Sequence, residues 1–177
     1  FYAASGHSVE IGHCVVVPGG RPCKCGLHGC LEMHAAGPAI VQNYLQLGGK
    51  TQIGGEAPNA KSIETLARKG DAAALQTYAE EGHLLGKMLA IAGNLLGPQK
   101  IVIGGSVSKA FDLFSPALAA ALQAGLYSQA SGAIQVQPSP LAEFGGLAGA
   151  AALAFARSNQ LFDLQNTLQG IYGAPQH

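Results

Sequence analysis

The stretch Glu10–Glu32, EIGHCVVVPGGRPCKCGLHGCLE, decides how the rest of this 177-residue chain is read. All four cysteines of the chain lie inside it, at positions 14, 23, 25 and 30, and His13 stands ten residues ahead of Cys23. One histidine with three cysteines makes a complete tetrahedral zinc set. Cys23 and Cys25 grip the ion from a tight turn, Gly26 and Gly29 let the backbone fold around it, Cys30 closes the cage, and His13 ties the loop to the preceding segment. Four protein ligands leave no open coordination position, so an ion held here organises the loop 13–32 and does not activate water. The competing reading is a disulfide or inert buried thiols. Cys23 and Cys25 are too close in sequence to pair comfortably, and no signal peptide is visible. Cys14 reads as a buried strand thiol outside the ligand set.

Outward from this loop, the composition supports a packed core: 48% of residues are hydrophobic and only 11% are charged. Ten basic and ten acidic side chains cancel, which leaves no basic surface for direct nucleic-acid or acidic-lipid binding by this stretch. The longest apolar runs, such as the one around Ala148–Phe155, are too short and Ala-rich to span a bilayer, so a cytoplasmic chain without a membrane segment is expected. The chain opens on Phe1 directly before a dense motif, and we expect it to be part of something longer.

Periodicity supplies the rest. Cys14–Val17 reads as a short strand ended by Pro18-Gly19-Gly20, and Leu31–Leu47 as a helix stopped at Gly48-Gly49. Residues 51–59 read as a loop. GGKT at 48–51 is no phosphate loop, because Tyr44 stands where its first glycine would fall. Ser62 offers a cap for a short helix to Arg68. Asp71 caps a longer one through Leu96, closed by Gly97-Pro98, whose second half is apolar nearly all round and should be largely buried. Lys100–Gly104 reads as a buried strand. A helix follows from about Ser108 to Leu126, interrupted at Ser115-Pro116. Ala133–Gln137 reads as a short strand, and Gly145–Ala156 as a small-residue helix able to pack closely on a sheet. Residues 158–177 read as a tail. Strands alternating with helices make this an α/β chain.

E-x-G-H at 10–13, followed by C-x-C-G-x-x-G-C-x-E from Cys23 to Glu32, resembles the ROK family (repressors, open reading frames and sugar kinases). IVIGG at 101–105 and GAAALA at 149–154 fall at that family's later positions. The resemblance implies an actin-like fold of ribonuclease-H-like lobes, of which residues 1–157 are the C-terminal lobe. It further implies that Glu10, His13 and Glu32 hydrogen-bond sugar hydroxyls while His13 ligates zinc through its other ring nitrogen. A metallated imidazole has its remaining N–H fixed as a donor. Gly104 and Gly105 resemble the family's nucleotide-contacting turn. The chain departs from the pattern at Ser106, where a third glycine is common, and at Ser8-Val9, where Ala-Gly is usual.

Kinases of that family take a general-base aspartate, phosphate loops and magnesium from the first lobe. Asp71 sits at a helix start and Asp112 and Asp163 have no glycine-rich company, so none is assigned as base and this stretch alone is expected to be inactive. The resemblance leaves two parents: an ATP-dependent kinase of a hexose or N-acetylhexosamine, or a sugar-sensing repressor whose DNA-binding module lies upstream. Family members commonly dimerise, so a homodimer is expected.

Overall fold

The computed structural model describes residues 9–127 and 134–157. The sequence expectations for the tail at 158–177, for Ser8 and for Ala133 therefore lie outside the described residues. Among the described residues seven helices and strands follow in chain order: α1 (Gly37–Gln46), α2 (Ala60–Arg68), α3 (Ala72–Leu96), β1 (Lys100–Ile103), α4 (Phe111–Gly125), β2 (Gln135–Pro138) and α5 (Gly145–Arg157). Short 3-10 turns at Ile11–His13 and Leu31–Met33 carry the candidate site.

Two compact units divide the chain. The first holds residues up to Ile101 and Ala110–Val136, the second Val102–Lys109 and the chain from Gln137 onward. In the first unit, α3 and α4 make the most extensive helix contact. A Cβ on Gly82 would come within 2.2 Å of Phe114 O, and one on Gly86 within 2.4 Å of Leu118 O, so the two backbones approach as closely as glycine permits. Because these contacts advance together along both helices, α3 and α4 run parallel. Asn94 locks the far end, donating to Gly125 O at 2.9 Å and accepting from Tyr127 N at 2.9 Å. Tyr44, Tyr78, Phe114, Ile40, Ile63, Leu118 and Leu122 fill the core around them.

β1 and β2 pair directly. Gln135 N donates to Gln99 O and Ser139 N to Ile103 O, a register that steps forward on both strands and is therefore parallel, with α4 as the crossover. The α/β reading holds at this level.

Several boundaries differ from the sequence reading, each for a physical reason. Cys14–Val17 forms no strand: Val15 makes only an isolated bridge to Cys30, and Val16 and Val17 both donate to Gly29 O. Cys14 is exposed, not buried. The helix expected over Leu31–Leu47 breaks at residues 34–36, because Pro38 is tolerated only in a first turn and Ala36 takes an extended N-cap conformation. The cap of α2 is Asn59, whose side chain accepts from Ser62 N at 2.9 Å while Ser62 Oγ accepts from Asn59 N at 3.0 Å, a capping box. α4 runs through Pro116 without interruption. β1 is half exposed, with Val102 at 37%. The end of α3 is open as well, Ile91, Leu95 and Leu96 all being exposed. On α5, Leu147 and Leu153 are exposed, so its close packing on a sheet is not realised among the described residues.

One charge sits inside the first unit. Glu81 falls on the buried stripe of α3, is 2% exposed, and has no hydrogen-bond partner for Oε2. Burial lifts its carboxyl to about 7 from an ordinary value of 4.5. Between those two values the unfolded chain gives up a proton that the folded chain keeps. Stability is therefore full below pH 4.5, falls as pH rises, and has lost its whole share above pH 7. The share is about 3 kcal/mol. Glu81→Gln, which cannot ionise, is expected to be more stable than the parent chain by up to that amount at pH 8 and close to it at pH 4.5. Urea unfolding at the two pH values checks this; identical pH responses of the two proteins would exclude Glu81 as the source.

Candidate metal centre

The loop between the two 3-10 turns is folded back on itself by backbone pairing. Cys23 N donates to Leu27 O at 2.8 Å, Gly29 N to Arg21 O at 2.8 Å, and Leu31 N to Cys14 O at 2.9 Å. These bonds bring residues that are far apart in sequence to one point. One ligand atom each from His13, Cys23, Cys25 and Cys30 lies within 4.8 Å of all the others. Cys23 Sγ is 3.5 Å from His13 Nδ1, and Cys25 Sγ is 3.6 Å from Cys30 Sγ. A tetrahedron with metal–sulfur arms of about 2.3 Å has edges of about 3.8 Å, so the four donors suit a tetrahedral ion. All four cysteines are free thiols.

The electrostatics favour a cation. Cys30 is fully buried, and desolvation, with Cys25 and Cys23 beside it, pushes its thiol up to about 12. The Leu27 backbone N–H lowers the exposed Cys25 thiol, with further help from Cys23 and Cys30. Three thiolates cannot share so small a space without a positive charge among them.

The residues expected to meet a sugar are partly assembled. Glu32 Oε2 lies 3.6 Å from His13 Nδ1, the same nitrogen that faces Cys23, and Lys24 Nζ lies 3.5 Å from Glu32 Oε1. His13 Nε2 is thus the ring nitrogen turned from the cysteines. Glu10 begins the turn that carries His13, is exposed, and makes no side-chain bond among the described residues. Gly104 and Gly105 belong to the second unit. There Gly105 N donates to Ala142 O at 3.1 Å, Ser108 Oγ donates to Gly105 O at 2.7 Å, and Lys109 pairs with Glu143.

A second polar cluster braces the loop and was not singled out in the sequence. Arg21 Nη1 donates to Met33 O at 2.9 Å, and its Nη2 donates to Asn43 Oδ1 at 2.6 Å and Gln46 Oε1 at 2.7 Å. Asn43 Nδ2 donates to His34 O at 3.0 Å, and His34 Nε2 accepts from Arg21 N at 3.3 Å. Burial first, then Arg21, lowers the His34 imidazole. The available signal was Asn43, a polar residue on the buried face of α1. His28, the other histidine near the loop, is exposed.

The sequence pattern that defines the ROK family matches residues 2–157. The DNA-binding transcriptional dual regulator NagC of Escherichia coli K12 is 41% identical over 121 residues, 67% of this chain and 30% of that protein. A glucokinase of Thermotoga maritima is 32% identical over 157 residues, 84% of this chain and 49% of that protein. Among solved structures, a ROK family glucokinase from Streptomyces griseus in complex with glucose and AMPPNP superposes with a TM-score of 0.71 at 29% identity, covering 84% of this chain and 51% of that one. The chain thus spans about half of these two kinases, and less of the regulator.

Gly29 is the hinge of the loop. It has φ +80, and a Cβ there would lie 1.7 Å from Val17 O. Gly29→Ala should displace Cys30 and cost at least about 2 kcal/mol through strain and backbone displacement. Thermal unfolding of the variant, together with thiol accessibility at Cys30, is the measurement; an unchanged melting temperature would mean that the loop reaches its shape without this contact.

Proposed function

The chain belongs to the ROK family, and on that premise we propose that residues 1–157 are the C-terminal, sugar-recognising lobe of an actin-like ROK protein, with residues 158–177 as its tail. The observation that carries the reading is the pairing of His13 and Glu32, 3.6 Å apart, beside a ready donor set for an ion. His13 through Nδ1, with Cys23, Cys25 and Cys30, would hold zinc, which would fix the loop and the tautomer of the histidine. His13 Nε2–H then donates to a sugar hydroxyl, while Glu32 and Glu10 accept from neighbouring hydroxyls. Lys24 Nζ lies 3.5 Å from one oxygen of Glu32.

The parent we favour is an ATP-dependent kinase of a hexose or N-acetylhexosamine, cytoplasmic and dimeric. Gly104 supports it. A Cβ there would meet only Ser139 Cβ, at 3.9 Å, so the chain's own packing does not demand glycine and the space is free for a nucleotide. Gly105 contributes openness and a φ of +88, since its N–H is already given to Ala142. General base, phosphate loops and magnesium ligands would come from the other lobe, so no catalytic group is assigned here. The second reading, a sugar-responsive repressor, draws on the 41% identity to NagC.

One zinc per chain is expected. Structural sites of this kind bind with about 10–16 kcal/mol at neutral pH, against a domain stability of about 5–15, so chelation should disorder residues 19–31. Elemental analysis of purified protein finding no zinc would remove the ion from the account. In the full-length protein, Glu32→Ala should weaken sugar binding about ten- to a hundredfold, the equivalent of about 1.5–3 kcal/mol for hydrogen bonds to a charged acceptor, with zinc retained. Calorimetric titration reads the affinity, and a coupled assay reads ATP turnover. Unchanged affinity removes Glu32 from the site, and binding without turnover identifies the repressor.

A further inference from the structure

Behind the metal-binding loop, a cavity of about 550 Å³ opens between the segment Val17–Arg21, α1 and α3. That volume suits a small molecule. Glu10, His13 and Glu32 take no part in its walls. Its polar groups are already oriented by bonds among themselves. Gln46 Oε1 is taken by Arg21, so its amide NH2 is the free end. Gln76 Nε2 donates to Glu80 Oε1 at 3.1 Å, which leaves Gln76 Oε1 and Glu80 Oε2 free to accept. His34 Nε2 accepts from Arg21 N, so the proton of the neutral ring sits on Nδ1, a donor without a partner among the described residues. His83, on the α3 wall, has no partner among the described residues either.

The charges cancel: one guanidinium, bonded only to neutral acceptors, and one carboxylate that faces it through space. A phosphate or a second carboxylate would have to sit against Glu80. Leftover donors on His34 and Gln46 and leftover acceptors on Gln76 and Glu80, in a cavity whose charges cancel, suit hydroxyls, each of which both donates and accepts. We propose that this cavity is a second binding site, separate from the one beside the metal loop, for a neutral polyhydroxylated ligand of one or two sugar rings. Arg21 O accepts from Gly29 N at 2.8 Å, so an occupant rests on the same loop that carries the cysteines.

The test is imidazole NMR of the purified full-length protein titrated with maltose, with N,N′-diacetylchitobiose and, separately, with inorganic phosphate. Either saccharide should shift the His34 and His83 rings with a dissociation constant on the order of millimolar. The double variant Gln76→Ala/Glu80→Gln, at one exposed and one half-buried position of α3, should weaken that response at least tenfold, and Glu32→Ala should leave it in place. Rings that stay unmoved in saturating saccharide, that answer only to phosphate, that respond undiminished in the double variant, or that fall silent in Glu32→Ala would each overturn the proposal. A melting curve of the double variant matching the parent ensures that any loss of response belongs to the site.

Discussion

Three sulfurs and one imidazole nitrogen gathered within 4.8 Å constrain everything around them. The tip of this loop has no buried core to hold it: Lys24, Cys25, Gly26, Leu27 and His28 are all exposed. Its shape rests on a few backbone bonds and on the mutual approach of the four donors. Burial, together with the neighbouring Cys25 and Cys23, pushes the Cys30 thiol up to about 12, so the metal-free arrangement resists becoming anionic. A cation resolves that conflict, and in doing so it would set the orientation of His13.

The constraint propagates in two directions. Toward the candidate sugar residues, it fixes which nitrogen of His13 faces the cysteines and brings Glu32 alongside. Toward the body of the first unit, it runs through Arg21, whose guanidinium ties Met33 and α1 to the loop. A loop with little hydrophobic burial of its own is thus anchored at one end by donor chemistry and at the other by a guanidinium bonded to three carbonyl-type oxygens. α3 provides the wall of the cavity behind it.

Burial does not follow hydrophobicity everywhere. Glu81 is buried while Leu95 and Leu96 of the same helix are exposed. The first raises the cost of ionisation within the fold. The second leaves apolar surface at the end of α3, a position that helical periodicity alone would place in a core.

Much was legible in the residues themselves. The grouping of His13 with Cys23, Cys25 and Cys30, the α/β class, the Asp71 cap, the αL stop at Gly97 and the long extent of α3 follow from local chemistry: residue spacing, capping side chains, and a backbone conformation that glycine adopts freely. What the tertiary structure alone decided depends on partners distant in sequence. Whether Cys14–Val17 is a strand depends on where Gly29 O lies. Arg21 gains its role only once α1 folds beside it, and Gly105 spends its N–H on Ala142 only because β2 returns next to β1. Local propensity cannot encode such contacts, because their energy exists only between segments that the chain has already brought together.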